Sequence, residues 1–280
     1  MTDLRTGAVD GAKTYDLGHA AAEMDRLTVQ AAVMAPITRR LFEEAGIGSG
    51  MRILDIGSGA GDVAILLADL VGPAGEVVGS DRAPEALKVA RTRIEALGLG
   101  NVTFREGDPG EMAFDRPFDA CVGRYILMFL ADPATMLRSL AHHVRPGGVM
   151  AFHEVDWDGA RSVPPVPTFD RCCAWLSETW RRVGADPRMG MNLHAAFLAA
   201  GLPAPSLRLE AIIGGAADDP QRLLVTSEIV RSMVSTIERV GVATAAQVDV
   251  DTLSERLLDE LRRSGGVIAG RSEIGAWCRL

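Results

Sequence analysis

A glycine-rich loop with a carboxylate at each end is the part of this sequence best suited to binding a charged ligand. It runs from Asp55 to Asp62 and contains Gly57, Gly59 and Gly61. Glycines allow a backbone to turn tightly and to approach a ligand closely. A dinucleotide-binding loop has its third glycine where this sequence has Asp62, and no Gly-Lys-Ser/Thr follows for a triphosphate loop. Because both carboxylates would repel a pyrophosphate, the loop favours a ligand with an ammonium group and no phosphate.

Two further carboxylates follow the next predicted strands. Asp81 ends the second strand, and a carboxylate there can accept hydrogen bonds from both hydroxyls of a ribose. Asp108 comes after Gly107 at the end of the third strand, where it can accept from an exocyclic amine such as that of adenine. Together, the three loops predict a ligand with an ammonium group, a ribose and an adenine.

Strands and helices alternate in the part of the chain that contains these loops. Hydrophobic patterning predicts five strands: Arg52–Ile56, Val77–Ser80, Val102–Phe104, Phe118–Val122 and Gly148–Phe152. It predicts helices over Asp16–Ala45 with a break at Pro36, over Val63–Leu70, after Pro84, and after Asp132. Such alternation predicts a mostly parallel sheet with helices on both faces, which binds ligands at the carboxyl ends of its strands.

The second half of the chain is less regular. We predict helices over Thr168–Val183, Leu193–Ala200, Pro220–Val240 and Val250–Arg263, a sixth strand over Leu207–Ile213 and a closing strand over Gly270–Leu280. No linker-like segment separates this half from the first, so we expect a single domain with helical additions.

Composition excludes several classes of protein. The net charge is -8 and no Lys/Arg cluster stands out, which argues against a nucleic-acid surface. No run of 18 apolar residues is present, and the first residues lack the apolar core of a secretory signal, so we expect a cytoplasmic protein without a membrane span. The four cysteines form neither a CxxC pair nor a zinc-ligand spacing, so we expect no metal.

Five segments between Met51 and Glu154 resemble, in order and spacing, the class I S-adenosylmethionine-dependent methyltransferases, here of the small-molecule, bacterial type. The segments are ILDIGSGAGD, VVGSD, FREGD, FDACVGRYILMFLADP and VRPGGVMAFHE. The resemblance implies an α/β fold with a Rossmann-like, doubly wound, seven-stranded sheet whose last strand is antiparallel. It also implies an N-terminal helical cap over residues 1–45 and a cofactor-binding core over residues 46–160. Residues 161–280 would then add substrate-side helices and the last two strands to the same domain.

The same resemblance assigns residues to the cofactor S-adenosylmethionine. The predicted cofactor-binding residues are Tyr15, Arg26, Gln30, Asp55, Gly57, Gly59, Gly61, Asp81, Arg82, Asp108, Pro109 and Arg124. Of these, Tyr15, Arg26 and Gln30 lie in the cap, Arg82 is expected to stack near adenine, and Arg124 to contact the methionine end. Relatives often present a backbone N–H to adenine at the position of Pro109, which has none. Adenine recognition is therefore expected to use Asp108, together with Glu111 or a water molecule.

Methyl transfer from a sulfonium is an in-line displacement, for which alignment can supply most of the acceleration. A base is needed only where the acceptor must lose a proton. The candidates follow the fifth predicted strand: His153 as the base, with Glu154 or Asp156 orienting it. The alternative for His153 is a hydrogen-bonded structural role. Three tryptophans are either acceptor-pocket residues or core residues: Trp157, Trp175 and Trp180.

The sequence thus predicts a methyltransferase that acts on an O, N or C atom of a small molecule, and we expect an aromatic or heterocyclic natural product. A quinone-ring C-methyltransferase is a second interpretation. A sensor or scaffold that binds S-adenosylmethionine without methyl transfer is the alternative from another class. As partners we expect the small-molecule acceptor, no nucleic acid and no membrane, and the sequence leaves room for a homodimer.

Overall fold

A computed structural model of the chain describes residues 21–218 and 223–280, with side chains from residue 33 onward. Tyr15 lies outside the described residues. Arg26 and Gln30 lie in the first helix, in the part whose side chains are not described. The expected contacts of these three residues with the cofactor therefore stay predictions.

A single mixed sheet organises the described residues. Its strands are β1 Arg52–Ile56, β2 Glu76–Asp81, β3 Val102–Glu106, β4 Phe118–Arg124, β5 Val144–Asp156, β6 Arg161–Val163, β7 Ser206–Gly215 and β8 Val267–Arg279. They are ordered β3-β2-β1-β4-β5-β8, and the pairs up to β5 are parallel. Strand β8 is antiparallel to both β5 and β7, which confirms the predicted Rossmann-like sheet with an antiparallel last strand.

The short strand β6 was not predicted. It pairs with the start of β8, on the edge opposite β7, and so continues the line of β5 after a break. In the part of the chain that the structure describes, the sheet therefore has eight strands in seven positions, rather than the seven strands expected.

Helices cover both faces of the sheet, as predicted. They are α1 Ala21–Glu44, α2 Asp62–Val71, α3 Pro84–Ala96, α4 Pro133–Ala141, α5 Pro167–Arg182, α6 Met189–Ala199, α7 Val225–Arg239, α8 Ala245–Val248 and α9 Val250–Ser264. One hydrophobic cluster joins helices α1, α2 and α3 to one face, and a second joins helices α4 through α9 to the other. None of the described helices is both long and apolar enough to cross a membrane.

The predicted break at Pro36 was wrong, because α1 continues through it to Glu44. Pro36 is exposed, whereas Ile37 and Leu41 are buried. Leu41 packs so closely on β8 that a Cβ at Gly275 would lie 2.3 Å from it. Packing of this face onto the sheet therefore outweighs the hydrogen bond that a proline removes from a helix.

Strand β5 is longer than predicted at both ends. It begins at Val144 rather than Gly148, and it ends at Asp156 rather than Phe152. His153 and Glu154 consequently lie within the strand instead of in a loop after it. Since successive side chains of a strand point to opposite faces, these two residues face opposite sides of the sheet.

Candidate cofactor and acceptor site

The glycine loop lies between the end of β1 and the start of α2. Gly57, Gly59 and Gly61 all have positive φ angles, of 63°, 50° and 86°. Such angles favour glycine, because a Cβ strains the backbone there. A Cβ on Gly57 would also lie 2.6 Å from Ile126, whereas no described atom lies within 4 Å of that position at Gly59. The loop therefore leaves room at Gly59 for a ligand to approach the backbone.

Asp81 links this loop to the start of α3. Its Oδ2 accepts from the backbone N–H of Gly59 at 2.8 Å, and its Oδ1 accepts from the N–H of Ala83 at 2.9 Å. Each carboxylate oxygen has a second lone pair. Asp81 can therefore hold the loop in place and still accept hydrogen bonds from the two hydroxyls of a ribose.

Asp55 is a buried carboxyl group beside the loop. It is 1% exposed, and its Oδ2 has no hydrogen-bond partner among the described residues. Burial raises the pKa of Asp55 to about 8, although the nearby charge of Arg124 opposes that rise. Ser58 and Ser80 have buried hydroxyls without a described partner as well. Unpaired buried polar atoms are unfavourable, so this donor set fits a ligand with an ammonium group.

The predicted adenine pocket is held together by local contacts. Asp108 accepts from the N–H of Gly110 at 2.8 Å and forms an ion pair with Arg82. The carbonyl of Pro109 accepts from Nε2 of His143 at 2.9 Å. Arg82, after β2, and Asp108, after β3, thus lie together, as a site for one adenine requires, and His143 positions the loop that carries Asp108.

Five side chains form a continuous hydrogen-bonded series from the end of β4 across β5 to β8, which we call the polar chain: Arg124, Thr38, His153, Glu273 and Arg271. Arg124 Nη1 lies 3.2 Å from Thr38 Oγ1, which lies 3.1 Å from His153 Nδ1. His153 Nε2 lies 3.0 Å from Glu273 Oε2, and Arg271 Nε donates to Glu273 Oε1 at 2.8 Å. The series connects the cofactor edge of the sheet with the first half of β8.

The ion pair between Arg271 and Glu273 is almost fully buried, with side chains 9% and 2% exposed. Burial alone would raise the pKa of Glu273, but the charge of Arg271 and hydrogen bonds from His153 and Tyr125 hold it at about 2. The hydroxyl of Tyr125 donates to Glu273 Oε2 at 2.6 Å. Burial, together with the charge of Glu273, raises the pKa of Tyr125. The pair is therefore ionised at neutral pH, beside a neutral phenol.

The expected orientation of His153 by Glu154 or Asp156 was wrong, because Glu273 is its acidic partner. Glu154 faces the other side of the sheet, where its Oε1 accepts from the N–H groups of Ile126 at 2.9 Å and Leu127 at 2.7 Å. Burial raises the pKa of Glu154 to about 8. Asp156 instead caps a short 3-10 helix by accepting from the N–H of Asp158 at 3.2 Å.

The role of His153 as a base also finds little support in the geometry. Its side chain is buried, and both ring nitrogens lie within hydrogen-bond distance of described partners. Because the ionised Glu273 can only accept, Nε2–H donates to it. This arrangement favours the alternative role of His153 as a structural link in the polar chain.

A pocket with about 420 Å³ of empty space, its open mouth included, lies at the β8 end of the polar chain. Most of its lining is apolar: Met34, Trp157, Phe169, Ile212, Leu223, Val225, Ile229 and Ile268. Its polar side chains are Thr226, Arg271 and Glu273. Such a cavity, apolar with a few polar groups, is typical of a small-molecule site.

Only one of the three candidate tryptophans lines this pocket. Trp157 does so, and the guanidinium of Arg271 lies 5.0 Å from its ring centroid. Trp180 is buried in the core, with its ring 5.8 Å from that of Phe129. Trp175 packs, partly buried, against the same core. For Trp175 and Trp180 the core-packing alternative fits the structure better.

Arg271, Glu273 and Tyr125 were missed by sequence reasoning. A signal existed for two of them, because Arg271 and Glu273 are charged residues spaced by two at the start of a predicted strand whose centre is apolar. That spacing places both on one face. Tyr125 had a weaker signal, since it follows Arg124 at a strand end. Its φ angle of 54° is unusual for a residue with a side chain and is found at functional sites.

Comparison with known proteins identifies the family. A family model described as a methyltransferase domain matches residues 47–190, just over half of the chain. A demethylmenaquinone methyltransferase from Geobacillus kaustophilus is 38% identical over 110 residues, which cover 39% of this chain and 47% of that protein. The chain thus spans about half the length of the curated relatives it matches.

Solved structures share the fold. The YcgJ protein from Bacillus subtilis superposes with a TM-score of 0.52 at 19% identity, covering 85% of this chain and 96% of that one. The cyclase SpnF superposes with a TM-score of 0.52 at 19% identity, covering 88% and 80% of the two chains. With the family match and the sheet order, these findings show that the chain belongs to the class I S-adenosylmethionine-dependent methyltransferases and that S-adenosylmethionine is its cofactor.

Proposed function

We propose that this chain transfers the methyl group of S-adenosylmethionine to a small molecule bound in the pocket beside Trp157. The polar chain carries this proposal, because it joins Arg124, at the cofactor edge, to Arg271 and Glu273 in the pocket wall. For an in-line transfer, an acceptor bound in the pocket must also extend along this network until its nucleophilic atom meets the methyl group of a cofactor over the glycine loop.

The residues of the site favour catalysis by alignment. S-adenosylmethionine supplies an activated methyl group when it is bound. Among the described residues that line the pocket, Glu273 is a poor base, since its pKa is about 2. Tyr125, which donates to Glu273, has a raised pKa and stays protonated. We therefore expect an acceptor that already carries its nucleophilic electron pair, and a pocket that aligns it and excludes water.

Turnover tests this proposal directly. The protein, S-adenosylmethionine and a panel of aromatic and heterocyclic phenols, amines and enols would be combined, and S-adenosylhomocysteine release measured. We expect S-adenosylhomocysteine to be released only with one class of acceptor. The substitution Ile212→Trp should abolish this release, because the larger side chain would fill the pocket. Ile213→Trp is the matched control, because Ile213 is the exposed neighbour of Ile212 on β7. Release that persists unchanged in Ile212→Trp would contradict the acceptor pocket.

Two alternative functions, quinone-ring C-methylation and cofactor binding without methyl transfer, are each supported by one of the comparisons. The relatives named as quinone-biosynthesis methyltransferases favour ring C-methylation, and an apolar pocket suits a quinone precursor. Binding without methyl transfer is favoured by the structural similarity to SpnF, which is named a cyclase. A quinone precursor in the acceptor panel tests the first. Tight cofactor binding with no release from any acceptor would favour the second.

The expected partners and location are also part of this proposal. The acidic composition supports a chain that does not bind nucleic acid, and a cytoplasmic location is expected. Among the described strands, β7 pairs with β8 alone, and it exposes Leu207, Leu209 and Ile213, which would suit a homodimer formed along this edge.

Cofactor affinity is expected to rise with pH between pH 6 and 8. With a pKa of about 8, Asp55 is mostly protonated at pH 6 in the free protein and must lose its proton to pair with an ammonium group. Linkage then predicts about a tenfold gain in affinity per pH unit below the pKa. Above about pH 8 the amino group of the ligand loses its own charge, so affinity should stop rising. Calorimetry with S-adenosylhomocysteine at each pH measures this.

Asp55→Asn is the control for this titration, since it has the same shape and no proton to lose. It should bind with an affinity that is nearly constant between pH 6 and 8. Equal affinities of the unmodified protein at these two pH values would contradict an ionising contact between Asp55 and the ligand.

A further inference from the structure

The guanidinium of Arg271 has hydrogen-bond donors that no described residue uses. Its Nε donates to Glu273 at 2.8 Å and its Nη2 donates to Tyr125 at 3.2 Å, while Nη1 has no hydrogen bond to a described residue. The residue is 8% exposed and lines the pocket. A guanidinium carries five N–H donors. The unused donors of Arg271 therefore belong to a buried group that faces the space where an acceptor would bind.

The orientation of this guanidinium is fixed from three sides. The ring centroids of Trp157 and Tyr125 lie 5.0 Å and 5.1 Å from its central carbon, and Glu273 holds its Nε. A planar cation held by aromatic rings and a carboxylate presents its remaining donors in a fixed direction. Arg271 is therefore prearranged to bind an oxygen atom rather than free to swing towards solvent.

Charge determines which kind of oxygen suits this position. Glu273 already neutralises Arg271, and the described residues that line the pocket include no second cation, so a carboxylate there would lie close to another carboxylate without a charge to balance it. A ligand ammonium group would meet the positive charge of Arg271. Moreover, both oxygens of Glu273 already accept hydrogen bonds, from Arg271, His153 and Tyr125. An uncharged oxygen that accepts a hydrogen bond encounters neither problem.

We propose that the methyl acceptor is an uncharged, mainly apolar molecule that presents a carbonyl-type oxygen to the unused donors of Arg271. This inference rests on the proposed function, because it takes the pocket beside Trp157 as the acceptor site. Arg271 then selects against both cationic amines and carboxylic acids, and the apolar walls bind the remainder of the molecule.

Four small probes of similar shape test the selection: acetophenone, ethylbenzene, benzoate and benzylammonium. Each would be titrated into the protein loaded with S-adenosylhomocysteine, and its dissociation constant measured by ligand-observed NMR. We expect acetophenone to bind about tenfold more tightly than each of the others, as a hydrogen bond to a charged donor implies. Tighter binding of benzoate or benzylammonium than of acetophenone would overturn the proposal, and so would equal binding of acetophenone and ethylbenzene.

Two variants assign the selection to Arg271. The double variant Arg271→Met, Glu273→Gln removes both charges together, so no unpaired buried charge is left behind, and it should bind acetophenone and ethylbenzene equally. Ile212→Trp should weaken the binding of all four probes, because it fills the pocket. A preference for acetophenone that survives the double variant would refute the assignment.

A measurement on the unmodified protein covers the case in which the double variant fails to fold. The Nε–H signal of Arg271 should shift on addition of acetophenone and not on addition of ethylbenzene. An unchanged signal at saturating acetophenone would also refute the proposal. None of these binding measurements involves methyl transfer. Their failure would therefore leave the methyltransferase function open to the turnover test, and a failed turnover test would leave the binding preference of Arg271 open to these measurements.

Discussion

Replacing Asp81 with alanine is expected to weaken S-adenosylmethionine binding by about a hundredfold or more. The side chain holds Gly59 of the glycine loop and Ala83 at the start of α3, and we propose that its remaining lone pairs accept from the two hydroxyls of the ribose. Two hydrogen bonds to a charged group contribute about 1.5–3 kcal/mol each, and about 1.4 kcal/mol corresponds to a tenfold change in affinity. Calorimetric titration with S-adenosylhomocysteine measures the loss.

Glu106→Ala provides the control for this variant. Glu106 lies beside Asp81 in the register of β2 and β3, but it is exposed. Its removal should leave affinity within about twofold of the unmodified protein, because isolated surface charges contribute little. Circular dichroism would show that Asp81→Ala stays folded, with stability lowered by about 1 kcal/mol through the lost loop contacts. An unchanged affinity in a folded Asp81→Ala protein would remove the ribose assignment.

The glycine loop and the placement of the carboxylates at the strand ends were predictable because their geometry is local. Gly57, Gly59 and Gly61 must turn the chain within a few residues of β1, and their positive φ angles are a direct consequence of that turn. Asp81 and Asp108 follow strands whose parallel order is set by the alternation of strands and helices. Parallel strands end at one edge, so the residues that follow them meet there.

The polar chain and the proposed acceptor pocket were not predictable in the same way, since they depend on contacts between distant parts of the chain. Because β8 runs antiparallel, its first half lies beside the carboxyl end of β5, and this places Glu273 opposite Val155. Thr38 reaches His153 only because α1 continues through Pro36 onto the same face of the sheet. Neither the path of α1 nor the register of β8 can be read from local patterning.

The assignment of acids around His153 failed for a related reason. Proximity in sequence suggested Glu154 and Asp156, but alternation along β5 directs Glu154 to the opposite face. There it fixes the backbone of Ile126 and Leu127, the segment that packs a side chain over Gly57. Glu154 therefore supports the cofactor loop indirectly, whereas the partner of His153 comes from a strand more than a hundred residues later.

Removing the carboxylate of Glu273 is expected to lower the free energy of unfolding more than Asp81→Ala or Glu210→Ala does. Glu273→Ala would leave the buried guanidinium of Arg271 without its counter-ion and would remove the acceptor for both Tyr125 and His153. Breaking a buried pair by deleting one partner costs about 3–5 kcal/mol. Chemical denaturation would measure the loss as a fall in the free energy of unfolding. Because the folded-state pKa of Glu273, about 2, lies below its ordinary value of 4.5, this stabilisation is present above pH 4.5 and is lost as the pH falls through 2.

Strand β7 supplies a matched control for this prediction. Glu210 lies directly opposite Glu273 in the register of β7 and β8, and it pairs with Arg40 and Arg208 in contact with solvent. Glu210→Ala should therefore lower the free energy of unfolding by less than about 1 kcal/mol. Glu273→Gln should fall between the two alanine variants, because an amide still accepts a hydrogen bond but carries no charge to balance Arg271. If Glu273→Ala were no less stable than Glu210→Ala, the carboxylate of Glu273 would not hold β8 against His153 of β5 and against Tyr125 in the way its hydrogen bonds indicate.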